Sequence, residues 1–370
     1  MSSLYDFDFS AEEEVKAQPA ASQDVTEQDD RFGDDDKPPF ALTHDFAGSI
    51  YSDKEIIDEA FRWFREHGFP YRSIPKFVMM QQMNQIASTK EESLANSSEA
   101  YSVADTFNPH RMHATVLGKV SPLQCFHDDK KFRHALALRL ERNGSIPAGF
   151  FGEITLSLGT QQCSNFRPGF AAWLYRQYCP PNGVVLDTST GYGGRLVGFI
   201  VSRVGGTYIG IDPNEKTHNG NVKMAEALGV SSRVQLHNVP VEDFDVSQIR
   251  GTCDFAFTSP PYFSKEHYDD APTQSWVRYG ESFEKWVEGF LRPMLRVTYE
   301  ALKRRTIAIV NIEDVKIKTK RYPLVDRTIE VAKEVGFSHR DTQLFKMVAR
   351  LGANQDEEPA AERVLVFGRR

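Results

Sequence analysis

Val184-Val185-Leu186-Asp187-Thr188-Ser189-Thr190-Gly191-Tyr192-Gly193-Gly194, continued by Arg195-Leu196-Val197-Gly198-Phe199, passes from an apolar run through a glycine-rich turn into a helical segment. Glycines at such a turn let the backbone bend sharply and approach a ligand with no Cβ in the way. The alternation recurs downstream: strand-like runs at 207–211, 234–236, 254–257 and 306–311 are separated by helical stretches, and a helix is expected at 323–335. This predicts an α/β, doubly wound sheet of mainly parallel strands. Two late β-like runs, 343–348 and 364–367, predict a closing hairpin.

Open sheets of this class bind ligands at the carboxyl ends of their strands. The second strand, Ile209-Gly210-Ile211-Asp212, ends in a carboxylate about 20 residues past the glycines, placed to accept both hydroxyls of a ribose. Two cofactor classes fit. A dinucleotide sets its pyrophosphate on a helix N-terminus and asks for GxGxxG. Here the spacing is DxxxGxGG, with Asp187 at the strand end. That carboxylate repels a pyrophosphate but suits the cationic amino acid end of S-adenosylmethionine. Thr188, Gly191, Gly193 and Gly194 are the expected cofactor contacts of the turn. Glu242 and Asp243, after the third strand, lie where an adenine amino group is expected, or else cap the next turn.

The fourth strand runs into Thr258-Ser259-Pro260-Pro261-Tyr262-Phe263. Neither proline has a backbone N–H, so the Pro260 carbonyl is expected to leave the ladder and face the cleft. Beside it, the Ser259 hydroxyl is a second acceptor and Tyr262 a flat stacking face. Two acceptors that draw both hydrogens of an exocyclic amine toward a tetrahedral arrangement localise its lone pair for in-line attack on a sulfonium methyl. Ser259, Pro260, Pro261 and Tyr262 are therefore the expected catalytic residues.

Asp187 to Gly194, Asp212 and the Ser-Pro-Pro-Tyr element, in this order, resemble the prokaryotic and phage DNA amino-methyltransferases, which modify N4 of cytosine or N6 of adenine. Asn165-Phe166-Arg167-Pro168-Gly169-Phe170 is similar to the segment that in this family closes over the methionine part of the cofactor, which adds Phe166, Arg167 and Pro168 to the expected contacts. The likeness spans roughly residues 160 to 370. It implies a Rossmann-like sheet of seven strands with the last reversed, no metal, and extrusion of the target base beside Tyr262. Serine at 259 leans toward cytosine. RNA or protein amino-methylation, or a non-catalytic nucleic-acid-binding subunit, are the alternatives. Too few residues follow the sheet for a separate recognition domain. Target recognition is therefore expected from the N-terminal region or from 264–282, which carries Lys265, His267, Tyr268, Trp276, Arg278 and Tyr279. His267 is expected to be satisfied or on a phosphate rather than a general base, and Asn311 to Asp314 either line the pocket or cap a turn.

The charge of −7 is uneven: residues 1–40 hold twelve acids and three bases, so the rest carries +2. An acidic, disordered tail is expected over 1–45, a mainly helical accessory region over 46–160 and the methyltransferase domain over 161–370. Apolar residues recur at helical spacing over 55–64 until Gly68 and Pro70, a second helix is expected at 78–87, and 90–102 reads as a linker. Basic and aromatic clusters at 108–113 and 128–134 are candidate phosphate grips. Cys125, Cys163, Cys179 and Cys253 lack CxxC spacing, so buried reduced thiols are expected rather than a zinc site or disulfides. No run approaches the roughly 18 apolar residues of a membrane helix, and a cytoplasmic protein is expected.

Overall fold

The computed structural model describes residues 51–346 and 361–370. These belong to one unit, Pro38–Arg370; the other, Met1–Lys37, and the acidic tail expected over 1–45 lie outside the described residues.

The centre is a seven-stranded sheet of β1 (Val184–Asp187), β2 (Thr207–Ile211), β3 (Val234–His237), β4 (Cys253–Thr258), β5 (Leu302–Asn311), β6 (Phe337–Lys346) and β7 (Ala361–Arg369). Its spatial order is β6-β7-β5-β4-β1-β2-β3. Only β7 is reversed, pairing antiparallel with both β5 and β6. This is the seven-stranded arrangement with a reversed last strand that the sequence led us to expect. The late hairpin forms with Gln343 opposite Val364; residues 347 and 348 of the expected run lie outside the described residues. Val185, Leu186, Phe255 and Phe257 are fully buried because helices cover both faces.

The helices are α1 (Asp53–His67), α2 (Lys76–Ser88), α3 (Glu91–Leu94), α4 (Tyr101–Phe107), α5 (Pro122–His127), α6 (Asp129–Asn143), α7 (Pro168–Tyr178), α8 (Gly194–Ser202), α9 (Glu215–Ala227), α10 (Ser275–Tyr279), α11 (Phe283–Trp286), α12 (Arg292–Ala301) and α13 (Leu324–Val335). In α1, Ser52 and Glu55 form a reciprocal capping box, Ile56, Ala60, Phe61, Trp63 and Phe64 make the buried face, and Gly68 ends the helix. That face packs on Phe126, Phe132 and Leu136 of α5 and α6 in a core of its own. By contrast, Met79, Met83 and Ile86 of α2 and Val103 and Ala104 of α4 share a core with Phe170, Leu174 and Phe257.

Two expectations for the N-terminal region are corrected. Residues 90–102 are not a linker: they include α3 and the start of α4, bury Leu94 and Ala100, and the Leu94 carbonyl lies where a Cβ on Gly169 would be. The cluster 108–113 cannot grip phosphates because it is internal. Asn108, His110 and Arg111 are buried, with Asn108 on Asn221, His110 on Thr217 at 2.8 Å and Arg111 bidentate on Asp105 at 2.6 and 3.0 Å. At 128–134, Asp128 caps α6 through the Lys131 N–H, Arg133 pairs with Asp58 and His134 bonds Ser157, while Lys130 is exposed. The four cysteines are buried and unpaired. No helix among the described residues is long and apolar enough to cross a membrane.

Candidate active site

The carboxyl ends of β1, β2, β4 and β5 converge on one pocket. Its walls include Phe166, Thr188, Gly191, Asp212, Glu242, Ser259, Pro260, Pro261, Tyr262 and Asn311. The glycine turn and the Ser-Pro-Pro-Tyr element, 68 positions apart from Gly191 to Ser259, thus face the same space.

The cofactor half is built on backbone turns. Gly191 adopts φ +59°, a left-handed conformation that glycine takes without strain, and its N–H donates to Asp212 Oδ2 at 2.8 Å. Asp212 Oδ1 accepts from the Asn214 N–H at 3.0 Å. A carboxylate has about four acceptor positions, so two such bonds leave room for a pair of ribose hydroxyls. Burial pushes the Asp212 carboxyl up to about 6, against these two N–H groups, which favour its charged form. The close packing at Gly194 has a different purpose. Its Cβ position is filled by the Phe166 carbonyl, and the Asn165 side chain accepts from the Gly194 N–H at 3.2 Å. Asn165 and Phe166 are thereby fixed on the pocket wall.

Several expected contacts sit elsewhere. Asp187 is fully buried and does not line the pocket. Its oxygens accept from Arg195 Nε at 2.7 Å, the Tyr208 hydroxyl at 2.6 Å and the Ser189 N–H at 3.2 Å. Burial opposes the Arg195 charge, but the Asp187 carboxylate raises its pKa and holds it charged. The pair braces the turn, with Arg195 also bonded to the Ser189 carbonyl and itself on the pocket wall. Gly193 and Gly194 lie behind the wall, and Arg167 and Pro168 form the N-terminus of α7 outside it. Of the two acids after β3, Glu242 lines the pocket, whereas Asp243 faces outward.

On the opposite side, β4 leaves its ladder after Thr258, paired with Val310, so Ser259 to Tyr262 lie beyond the last rung. Phe263 follows at φ +56°, an unfavourable conformation for an aromatic residue, and is held there in the core by ring contacts to Trp286, Phe283 and Tyr322. Strain immediately after Tyr262 fixes the direction in which the turn projects. Asn311, at the end of β5, donates to the Tyr262 hydroxyl at 2.8 Å, while Lys265 Nζ lies 4.8 Å over the Tyr262 ring. Asp314 caps not the next turn but the start of α13, accepting the Val325 N–H at 3.0 Å. His267 is off the pocket wall, stacked on Trp276 at 3.9 Å.

The insertion 264–282 is tied to the rest of the protein at several points. Glu266–His267 pairs antiparallel with Thr115–Val116, and α10 is bonded to the segment after β3. Its polar groups are largely engaged inside the protein. Arg278 pairs with Glu242 at 3.0 Å and Asp243 at 2.7 Å, Tyr279 donates to Glu242 at 2.8 Å, and Tyr268 donates to Glu266 at 2.9 Å. Arg278 is exposed where it makes these pairs, and Lys265 lines the pocket.

Sequence reading named Asn165 only as part of the 165–170 segment and missed the pocket residues Gln274 and Phe290. Phe290 sits in a π-helical turn, Val287–Leu291, which a periodicity of 3.6 does not reveal. Four buried polar atoms of pocket-lining residues have no partner: Thr188 Oγ1, the Tyr192 hydroxyl, Gln274 Nε2 and Asn311 Oδ1. Buried polar groups are usually paired, which makes these four candidates for bonds to a ligand. With Asp212 and Glu242 they fit an adenosyl cofactor beside an amine-bearing substrate.

No protein-family model and no curated protein sequence matches the chain. Among solved structures, similar ones include TrmN from Thermus thermophilus, with 17% identity, TM-score 0.37, and coverage of 55% of this chain and 48% of that one. A tRNA methyltransferase, TrmI, from Aquifex aeolicus shows 16% identity and TM-score 0.34 over 55% of this chain and 67% of its own. A SAM-dependent O-methyltransferase from Thermotoga maritima shows 13% identity and TM-score 0.37 over 56% and 68%. The chain spans about half the length of the first of these.

Proposed function

We propose that the protein is an S-adenosylmethionine-dependent DNA methyltransferase that acts on the exocyclic amine of an extruded base, N4 of cytosine in preference to N6 of adenine. One observation carries this reading: Gly191 and Asp212 face Ser259, Pro260, Pro261 and Tyr262 across one pocket. Asp212 holds the ribose hydroxyls, and Glu242 stands on the same wall for the adenine amine. The cofactor supplies an electrophilic methyl group. Ser259 Oγ and the Pro260 carbonyl accept the two amine hydrogens and direct the nitrogen lone pair toward that methyl, while Tyr262 stacks on the base. The methylated amine is a strong acid until it loses one hydrogen, which passes to water or through Ser259.

The test is transfer of labelled methyl from S-adenosylmethionine to single-stranded and duplex DNA, with Ser259→Ala as control. Incorporation into DNA by the wild type alone supports the reading. Incorporation into RNA or protein instead, by a protein that binds the cofactor, moves the substrate to those classes and retains the amine chemistry.

A further inference from the structure

Gln274 is buried, at 4% exposure, yet its Nε2 has no hydrogen-bond partner. It is the N-cap residue of α10, a position where a side chain ordinarily accepts a backbone N–H, but it makes no such bond. Instead it lines the pocket. A buried amide donor left open costs stability unless something pairs with it.

The surroundings identify the partner's location. Asp269 bonds the side chain of Asn214, two residues beyond Asp212, and also accepts the Trp276 indole N–H at 3.2 Å and the Ala271 N–H at 2.8 Å. Thr273 Oγ1 donates to the Pro213 carbonyl at 3.4 Å. At the other end, Arg278 and Tyr279 are bound to Glu242. The segment carrying Gln274 is thus attached at one end beside Asp212 and at the other to Glu242. Those residues hold the ribose and adenine in the reading proposed above, on which this inference rests.

We propose that insertion 264–282 is a cofactor-binding element rather than the target-recognition surface, and that Gln274 donates its amide N–H to an acceptor on the adenosine half of the cofactor. The binding wall is assembled from two distant stretches of sequence. The strand ends supply Asp212 and Glu242 as acceptors, and the insertion supplies Gln274 as a donor.

Calorimetric titration of the full chain with S-adenosylmethionine and, separately, adenosine tests this. The variants are Gln274→Met, which keeps the volume without the amide, and Gln274→Glu, which replaces the donor by an acceptor at neutral pH. Thermal melting checks that each is folded. One lost hydrogen bond predicts about five- to tenfold weaker binding of both ligands in the Met variant, and weaker still in the Glu variant. Equal affinity of folded wild type and Gln274→Met for both ligands overturns the inference while leaving the proposed function intact. Loss for S-adenosylmethionine alone overturns the assignment to adenosine. Unchanged cofactor binding with weakened binding of a DNA oligonucleotide returns the insertion to target recognition. A wild type that binds no S-adenosylmethionine overturns both this inference and the proposed function.

Discussion

Asn311 Nδ2 donates a 2.8 Å hydrogen bond to the Tyr262 hydroxyl, joining the end of β5 to the turn that leaves β4. The bond fixes the ring next to the two proposed amine acceptors. Tyr262→Phe removes its acceptor and leaves a buried amide donor unpaired, which costs about 1–3 kcal/mol in denaturant unfolding. Tyr262→Ala and Ser259→Ala should abolish methyl transfer and leave the dissociation constant for S-adenosylmethionine nearly unchanged. Loss of cofactor affinity in both would place these residues on the wrong half of the pocket.

Asp212 gives a pH dependence with two opposite signs. Its folded-state carboxyl titrates at about 6, above the ordinary carboxylate value. Between roughly pH 4 and 6 the folded protein therefore binds more protons than the unfolded chain, and stability falls as pH rises through that window. Asp212→Asn should abolish this pH dependence, but it turns an amide NH2 toward one of the two backbone N–H donors, which offsets the gain in stability above pH 6. The same substitution should weaken cofactor binding, because the ribose needs the charged acceptor. Wild-type cofactor affinity should likewise decline as pH drops below about 6. Urea melts and titrations at pH 5 and 8 read both effects; unchanged cofactor affinity in Asp212→Asn removes this residue from the ribose.

The Asp187–Arg195 pair is a brace, and breaking it on one side leaves a buried charge. Arg195→Met should destabilise the fold by about 3–5 kcal/mol. Adding Asp187→Leu to that variant should recover a large part of the loss, since the charge then disappears with its partner. If the single variant melts like wild type, the pair does not support the turn.

Two glycines of the same turn should respond differently. Gly191→Ala meets no atom closer than 3.8 Å, so its cost is the left-handed backbone alone, about 1 kcal/mol. Gly194→Ala drives a methyl into the Phe166 carbonyl and pushes Asn165 off the wall. It should cost several times more in stability and also weaken cofactor binding. Equal melting temperatures for the two variants would contradict the packing described here.

The sheet was legible because each strand is a short apolar run at a distinct position between helical segments, as at Thr207–Ile211. The pocket's two halves were legible because local chemistry announces them: glycines that must turn, Asp212 at a strand end, and prolines that cannot pair. What escaped was set by distant contacts. Asp187 looked like a ligand-facing carboxylate, and nothing local shows that Arg195 and Tyr208 close over it. Arg111 and His110 read as surface bases because Asp105 and Thr217, their partners, are recognisable only once α4 and α9 are folded together. For insertion 264–282, composition does not reveal that Arg278 and Tyr279 reach back to Glu242.

The most direct measurement is mass spectrometry of nucleosides from the DNA of a host that lacks amino-methylation of its own, after expression of the wild-type protein and, separately, of Ser259→Ala. The proposed function predicts N4-methylcytosine, or failing that N6-methyladenine, in the wild-type sample alone. Unmodified DNA in both samples, from protein that is folded and binds S-adenosylmethionine, would contradict DNA as the substrate.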